Sequence, residues 1–325
     1  MEKLLLAGDI GGTKTLLGLF EGAATRPAPR EVRSFGTLDF KELTEMIAAF
    51  FHELGVDSGQ VRTACFGVAG PVIDEAATLT NVPWRVDARR IAREGGFARV
   101  HLLNDLQAMA YSIPVLMPAE VHVLQEGRAV PDGNIAIIAA GTGLGEGLLN
   151  SVDGRRVPSP SEGGHADFAA RTEREMALVR DLTHRYGRAD VEHVISGRGF
   201  MNIYRVSHRD PCIAVTDPND PAAPAKISSA ALERRCAGCV ETLDLFVEAY
   251  GAEAGNLALR TVSTGGVFVG GGIAPKILPA ISAGSFMRAF LAKPPLVAML
   301  AAMPVKVILN EQAGLLGASV FANSI

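Results

Sequence analysis

Apolar residues in the opening segment, LLLAGDIGGTKTLLGLFEG, fall into two short runs, residues 4–8 and 15–20. A turn holding Gly11 and Gly12 separates them, so the pattern predicts a β-hairpin. A weaker strand is expected over residues 31–38. Across residues 40–54 the apolar side chains Leu43, Ile47, Phe50, Phe51 and Leu54 recur at the three- and four-residue spacing of a helix. Then come a strand over 61–68, an irregular or extended stretch over 76–86, a short helix over 87–94 and a strand over 100–103 that runs into a helical LQAMAYSI. The first part of the chain therefore reads β-β-β-α-β-α.

A second glycine-punctuated hairpin is expected from residues 135–139, the turn GTGLGEG and residues 148–152, and its layout echoes the first. Helices are predicted over 172–186, 199–206 and 229–250, and an apolar strand, VFVGGG, begins at Val267. The stretch DPCIAVTDPNDPAAP, residues 210–224, holds four prolines and reads as a surface loop inside a domain. The repeated hairpin points to two similar β-rich halves with a cleft between them.

Composition narrows the function classes. A chain of 325 residues has room for two domains, and 48% hydrophobic against 20% charged residues describes an ordinary folded protein with ample core. Lys and Arg number 31 against 35 Asp and Glu, a net charge of −4, so no general positive field exists to hold nucleic acid or an anionic membrane surface. The four cysteines, Cys65, Cys212, Cys236 and Cys239, are too few for a disulfide scaffold and suggest a reduced, cytoplasmic setting. The start of the chain lacks the apolar length of a secretory signal, and no apolar run approaches a membrane span.

Three glycine clusters lie at predicted strand ends: GDIGGTKT (8–15), AGTGLGEG (140–147) and GGVFVGGG (265–272). Glycine lets backbone N–H groups converge on an anion, and three such clusters suggest a polyphosphate ligand. The first narrowly misses the G-x-x-x-x-G-K-[ST] loop, because Thr13 stands where glycine is required and the next residues read as strand. No G-x-G-x-x-G joins a strand to a helix, which removes the main support for a dinucleotide-dependent oxidoreductase. Asp9, between Gly8 and Gly11, is either an Mg²⁺ ligand, inner or through water, or an Asx-type turn residue. Thr13, Thr15 and Thr142 could donate to phosphate oxygens, and Lys14 reads equally well as a solvated turn charge.

In HLLNDLQAMAY an apolar strand ends at Asn104 and Asp105, where a helix begins. Asp105 is either a catalytic carboxylate at a strand's carboxyl end or a helix N-cap. The loop PSEGGHADF offers Glu162 and His165, and DVEHVISGRGF adds Glu192; together these suit the many hydroxyls of a sugar. Zinc fits the segment poorly, since its E-x-x-H lacks the helical H-E-x-x-H pair. Cys236 and Cys239 form a C-x-x-C that shares a helical face with Leu232, Leu243 and Phe246 and has no second pair, which favours core packing.

These segments resemble the bacterial ATP-dependent glucokinases, which belong to a superfamily shared with hexokinases, heat-shock ATPases and actin. DIGGTKT is similar to its first phosphate motif, LNDLQAMAY to its catalytic-aspartate segment and AGTGLGEG to its second phosphate motif. EGGHADF and VEHVISGRG resemble its sugar-binding segments, VFVGGGIAPKI its adenosine motif, and ILNEQAGLLGAS the C-terminal helix that returns to the small domain. The order is the family's own across nearly the whole chain.

The resemblance implies an α/β protein of two ribonuclease-H-like lobes, the actin-like ATPase fold, with a cleft between them. Residues 1–112 with 309–325 would form the small domain and 113–308 the large one. It implies Asp105 as general base for the sugar 6-hydroxyl, with Asn104, Gly143, Glu162, His165 and Glu192 on the pyranose hydroxyls. Asp9 would support Mg²⁺, Gly8, Gly11, Gly12, Thr13 and Thr142 would serve ATP phosphates, and Gly271 and Gly272 would border adenosine. The cysteine-rich zinc motif of the related repressor and kinase family is missing after His165, the next cysteine being Cys212, so no zinc is expected. A homodimer acting in glycolysis is implied as well. Sugar binding would bring the lobes together, exclude water and align the 6-hydroxyl with the γ-phosphorus. Kinases for mannose, fructose or an amino sugar remain the nearest alternative. A non-catalytic sugar-responsive regulator is disfavoured because the phosphate motif at Gly8 leaves no room for a preceding DNA-binding domain.

Overall fold

The computed structural model describes residues 4–79, 82–208, 212, 214, 215, 217 and 220–325. The chain divides into two compact units, Met1–Met117 with Asn310–Ile325, and Pro118–Leu309.

In the first unit the hairpin forms from β1 (Leu4–Ile10) and β2 (Lys14–Glu21), followed by β3 (Ala28–Gly36) and helix α1 (Leu43–Leu54). Strand β4 (Val61–Val68) comes next, then the short β5 (Val72–Ile73), β6 (Ala76–Thr78) and β7 (Arg85–Asp87), which form a small separate sheet. Helix α2 (Ala88–Gly95), strand β8 (Arg99–Asn104) and helix α3 (Asp105–Ser112) complete the run. The main sheet has the order β3-β2-β1-β4-β8, with β1, β4 and β8 parallel. Leu4 and Leu6 face one way and Leu5 and Ala7 the other, as a strand's two-residue period demands, and both sets are buried. On the first face Phe50 and Met46 of α1 and Ile91 of α2 cover the sheet. Each such side chain contributes about 1.5–3 kcal/mol on burial. On the second face lie Ala108 of α3 and Leu315, Ala318 and Ala322 of the closing helix.

The second unit starts with β9 (Val121–Gln125) and repeats the hairpin in β10 (Ile135–Ala140) and β11 (Leu144–Val152), extended by β12 (Arg155–Ser161). Helices α4 (Glu173–Tyr186), α5 (Gly197–Ser207), α6 (Ala223–Leu232) and α7 (Ala237–Thr261) follow, then β13 (Gly266–Gly270). Short helices α8 (Leu278–Ser282), α9 (Ser285–Leu291) and α10 (Val297–Ala302) lead to β14 (Val305–Ile308); α11 (Ala313–Ser324) is the closing helix of the first unit. The sheet order is β12-β11-β10-β13-β14-β9, so five of its six strands reproduce the topology of the first unit.

Two expectations change. The single helix over 229–250 is two, α6 and α7, interrupted at Glu233–Cys236, where Arg234 takes φ 54°. The turn after β10 is only Gly141–Gly143, so Gly145, Glu146 and Gly147 belong to strand β11. Of the predicted loop 210–224, residues 210, 211, 213, 216, 218 and 219 lie outside the described residues, and its end, Ala223 onward, is helical. No helix among the described residues is long and apolar enough to cross a membrane.

The α3–α11 contact depends on Gly317, where an added Cβ would lie 1.6 Å from the Ala108 carbonyl oxygen. Glycine inside a helix costs about 1 kcal/mol relative to alanine, and here it permits an approach that no other residue allows. Gly317→Val must push α11 away from α3 and is expected to destabilise the protein by about 1–3 kcal/mol or more in urea unfolding.

Candidate active site

In the first unit the candidate residues gather at the carboxyl ends of parallel strands. Asp9 pairs across the sheet with Gly67, and Val68 with Asn104, so Asp9 and the Asn104–Asp105 junction emerge at the same sheet end. The structure gives the N-cap of α3 to Asn104. Its side-chain oxygen accepts from the Leu106 amide at 3.0 Å, its side-chain amide donates to the Gly70 carbonyl at 3.2 Å, and the Gln107 side chain accepts from its backbone N–H at 3.0 Å. This capping box relieves Asp105 of the cap role left open by the sequence. Asp105 is the first residue of α3 and is exposed, with Oδ1 accepting from the Leu106 amide at 2.8 Å.

Asp9 is pushed up to about 6, first by burial and then by the negative charge of Asp105, with Lys14 acting in the opposite sense. Its Oδ2 lies 2.8 Å from where a Cβ on Gly314 would be, so the first turn of α11 leaves room for this carboxylate only because residue 314 is glycine. Sequence reasoning missed Gly314. The signal was available: glycine at 314 and 317 inside an otherwise apolar helix asks for close neighbours.

The β1–β2 turn is rigid. The Gly11 amide donates to the Lys14 carbonyl at 3.1 Å, the Thr37 hydroxyl to the Gly11 carbonyl at 2.8 Å, and the Thr37 amide to the Thr13 carbonyl at 3.0 Å. Thr15 is buried against Thr37 at 2.9 Å, whereas Thr13 is exposed at the tip beside half-buried Gly12. Gly8 sits within β1, buried against Phe66, away from the turn.

The second unit repeats the arrangement. Strands β10 and β13 run parallel with Ala139 opposite Gly270, which sets the Gly141–Gly143 turn beside Gly271 and Gly272. Gly271 takes φ 82° and packs on the Ala140 carbonyl, while Gly272 is exposed with open space above it. The buried Tyr250 hydroxyl of α7 pins both strand ends: it accepts from the Ala140 amide at 3.2 Å and lies 3.3 Å from the carbonyls of Ile138 and Gly270. Thr142 is exposed at the turn, and the Gly197 amide at the start of α5 donates to the Gly141 carbonyl at 2.8 Å.

The structure brings Gly143, Glu192 and the Glu162–His165 loop together. Glu192 Oε2 accepts from the Leu144 amide at 2.9 Å and lies so near Gly143 that a Cβ there would meet it at 2.5 Å. The Glu192 amide in turn donates to the Gly164 carbonyl at 2.8 Å. Glu162 and His165 are both exposed at the ends of a single 3-10 turn. Asp190, buried and absent from the sequence reading, faces His165 Nδ1 at 3.7 Å and His193 Nδ1 at 3.0 Å, which makes it the residue that orients this edge.

Below the same loop lies Glu146, 1% exposed, with Oε2 under Gly163, Arg260 at 3.5 Å and Glu253 as a like-charged neighbour. Burial and Glu253 push it up to about 8, against the pull of Arg260. Its place in a presumed turn hid it from sequence reasoning; on a strand it points into the core.

A family model described as Glucokinase matches residues 6–325. The glucokinase of Nostoc punctiforme is 41% identical over 341 residues, covering 98% of this chain and 98% of its own. Among solved structures, a glucokinase from an Antarctic psychrotroph superposes with a TM-score of 0.87 at 26% identity, covering 100% of both chains. A ROK-family glucokinase from Streptomyces griseus, solved with glucose and AMPPNP, shares the fold with a TM-score of 0.66 at 22% identity over 99% of this chain and 100% of its own. The fold and these relatives together define a sugar kinase built on the actin-like ATPase fold. The chain belongs to the glucokinase family.

One prediction concerns Glu146. An unfolded Glu ionises near 4.5, whereas this one holds its proton in the folded chain up to about 8. The unfolded state therefore loses its proton first, and stability falls as pH rises from 4.5 to 8, by up to about 1.4 kcal/mol per pH unit, then levels off. Glu146→Gln should abolish this slope in urea unfolding compared at about pH 5.5, 7 and 8.5, the last beyond the window where the wild-type curve has levelled off.

Proposed function

We propose that the protein phosphorylates the 6-hydroxyl of glucose from ATP with Asp105 as general base. The observation that carries this reading is the exposed Asp105 carboxylate at the carboxyl end of β8, freed from capping duty by Asn104. As the 6-oxygen attacks, Asp105 takes its proton; the new O–P bond forms while the bond from the γ-phosphorus to the β-phosphate oxygen breaks, and ADP leaves. Asn104, Gly143, Glu162, His165 and Glu192 hold the pyranose hydroxyls. For Glu192 this falls to the oxygen not engaged by the Leu144 amide. Asp190, 3.7 Å from His165 Nδ1, would attract that ring's N–H and bias its orientation.

The braced turns support a phosphate role for Gly11, Gly12, Thr13 and Thr142, whose groups need no reorganisation to receive an anion. Gly8, within β1, serves that turn only through the packing of the strand against Phe66. Gly271 and Gly272 border the adenosine, where open space above Gly272 admits a flat ring. The raised Asp9 beside the like-charged Asp105 suits a divalent cation, which would ease the repulsion between the two carboxylates beyond what Lys14 supplies. Mg²⁺ held by Asp9, directly or through water, would offset phosphate charge. The reading extends to a cytoplasmic homodimer in glycolysis, supported by the family resemblance and by four cysteines that are all free thiols; light scattering that gives a monomer would remove the dimer.

The test is ADP release from Mg-ATP with glucose, mannose, fructose, N-acetylglucosamine or no sugar. A strong preference for glucose is expected, and Asp105→Asn should lower kcat about 10²–10⁴-fold with glucose affinity largely kept, since proton acceptance matters in the transition state. Near-normal turnover by that variant would refute the base assignment; sugar-independent ADP release would point to a hydrolase.

A further inference from the structure

Four side chains in the second unit converge away from every residue assigned above. Within this group of His208, Cys212, Cys236 and Cys239 the ligand atoms all lie within 4.8 Å of one another. His208 Nε2 is 3.1 Å from Cys236 Sγ, and Cys212 Sγ is 3.5 Å from Cys236 Sγ and 3.6 Å from Cys239 Sγ. A tetrahedral zinc with bonds of about 2.3 Å to sulfur and about 2.0 Å to nitrogen spaces its ligand atoms by about 3.5–3.8 Å. The two sulfur–sulfur distances fall at that spacing, and all four ligand atoms lie within 4.8 Å of one another.

We propose that His208, Cys212, Cys236 and Cys239 form a closed structural zinc site.

Local structure explains the convergence. Helix α5 ends one residue before His208, whose ring lies 4.7 Å from that of Tyr204. The break between α6 and α7 puts Cys236 at the N-cap of α7 and Cys239 in its first turn. The C-x-x-C spacing carries Gly238, and a Cβ there would strike His208 Cδ2 at 2.4 Å. A residue with a Cβ at 238 would force the imidazole to shift. The Tyr204 hydroxyl hydrogen-bonds the Cys212 sulfur, an outer contact of the kind that steadies a metal-bound thiolate.

Core packing, expected for the two cysteines from the sequence, accounts for their burial but not for an imidazole nitrogen and three sulfurs pointing at one place. A disulfide would use two of the four groups and needs an S–S length of about 2.05 Å, whereas all the cysteines are free. Three soft thiolates with one imidazole select zinc among common divalent ions, and four protein ligands leave no open position for catalysis. Binding is balanced by release of the three thiol protons as Zn²⁺ forms three bonds to sulfur and one to nitrogen. The ion would tie the end of α5 to the start of α7. Those helices carry Gly197 and Tyr250, which brace the Gly141–Gly143 turn.

The test is metal analysis by plasma mass spectrometry of the full chain purified without chelator. About one zinc per chain is expected; Cys236→Ser and Cys239→Ser should lose it, and Cys65→Ala, outside the cluster, should keep it. Reduced apoprotein reconstituted with Co²⁺ should show the visible bands of tetrahedral cobalt and a thiolate-to-cobalt charge-transfer band, a readout on the unmutated chain that does not depend on the variants folding. Absence of zinc together with no tetrahedral cobalt spectrum would overturn the proposal. So would iron in zinc's place, zinc retained by both serine variants, or a Cys212–Cys236 disulfide in freshly isolated protein.

Discussion

Register between parallel strands is the constraint on which this molecule depends. With β1 paired to β4 and β4 to β8, the strand ends fall level, and Asp9 and Asp105 are left on one edge of one sheet. The same pairing of β10 with β13 sets the Gly141–Gly143 turn beside Gly271 and Gly272. A slip of one residue would turn every side chain of the slipped strand to the opposite face and misalign the strand ends. In β1, where Leu4, Leu5, Leu6 and Ala7 are apolar and buried on both faces, the cost of such a slip lies in the lost fit to each covering layer.

What the sequence disclosed follows from how local each cause is. The hairpin β1–β2, strand β4 and helix α1 could be read because periodicity and glycine act over a few residues; β4 runs over the residues expected, Val61–Val68. The short strands β5–β7, edge strand β9 and the order of the second sheet depend on distant partners, and their own residues carry no comparable pattern. Glu146 was placed in a turn because glycines flank it on both sides, yet those glycines serve close packing within a strand. Asp190 and Tyr250 act through contacts far along the chain, as in the 110-residue separation between Tyr250 and Ala140. Of the candidate site, the chemical types were legible; the residues that hold them in place were not.

Charge is arranged differently in the two units. In the first, half-buried Asp9 and exposed Asp105 share one sheet end, and the charge of Asp105 raises the cost of ionising Asp9 only in part, with Lys14 acting against it. In the second, Glu146 and Glu253 are buried with Arg260 as their positive neighbour, and burial keeps a proton on Glu146. Accessibility separates the two cases: the first pair is placed to respond to a ligand, and the second responds to pH through stability.

Helix α11 packs on α3, β1 and β4, although the whole second unit lies between it and them in the sequence. During synthesis the first unit therefore emerges from the ribosome with Leu5, Ala7 and Ala108 uncovered, and it stays so until the second unit has been made. The second unit, continuous in the chain, can complete its core earlier. Completion of the first unit's second face thus waits on the last residues made, and a nascent chain stalled before residue 313 leaves that apolar face without its covering helix.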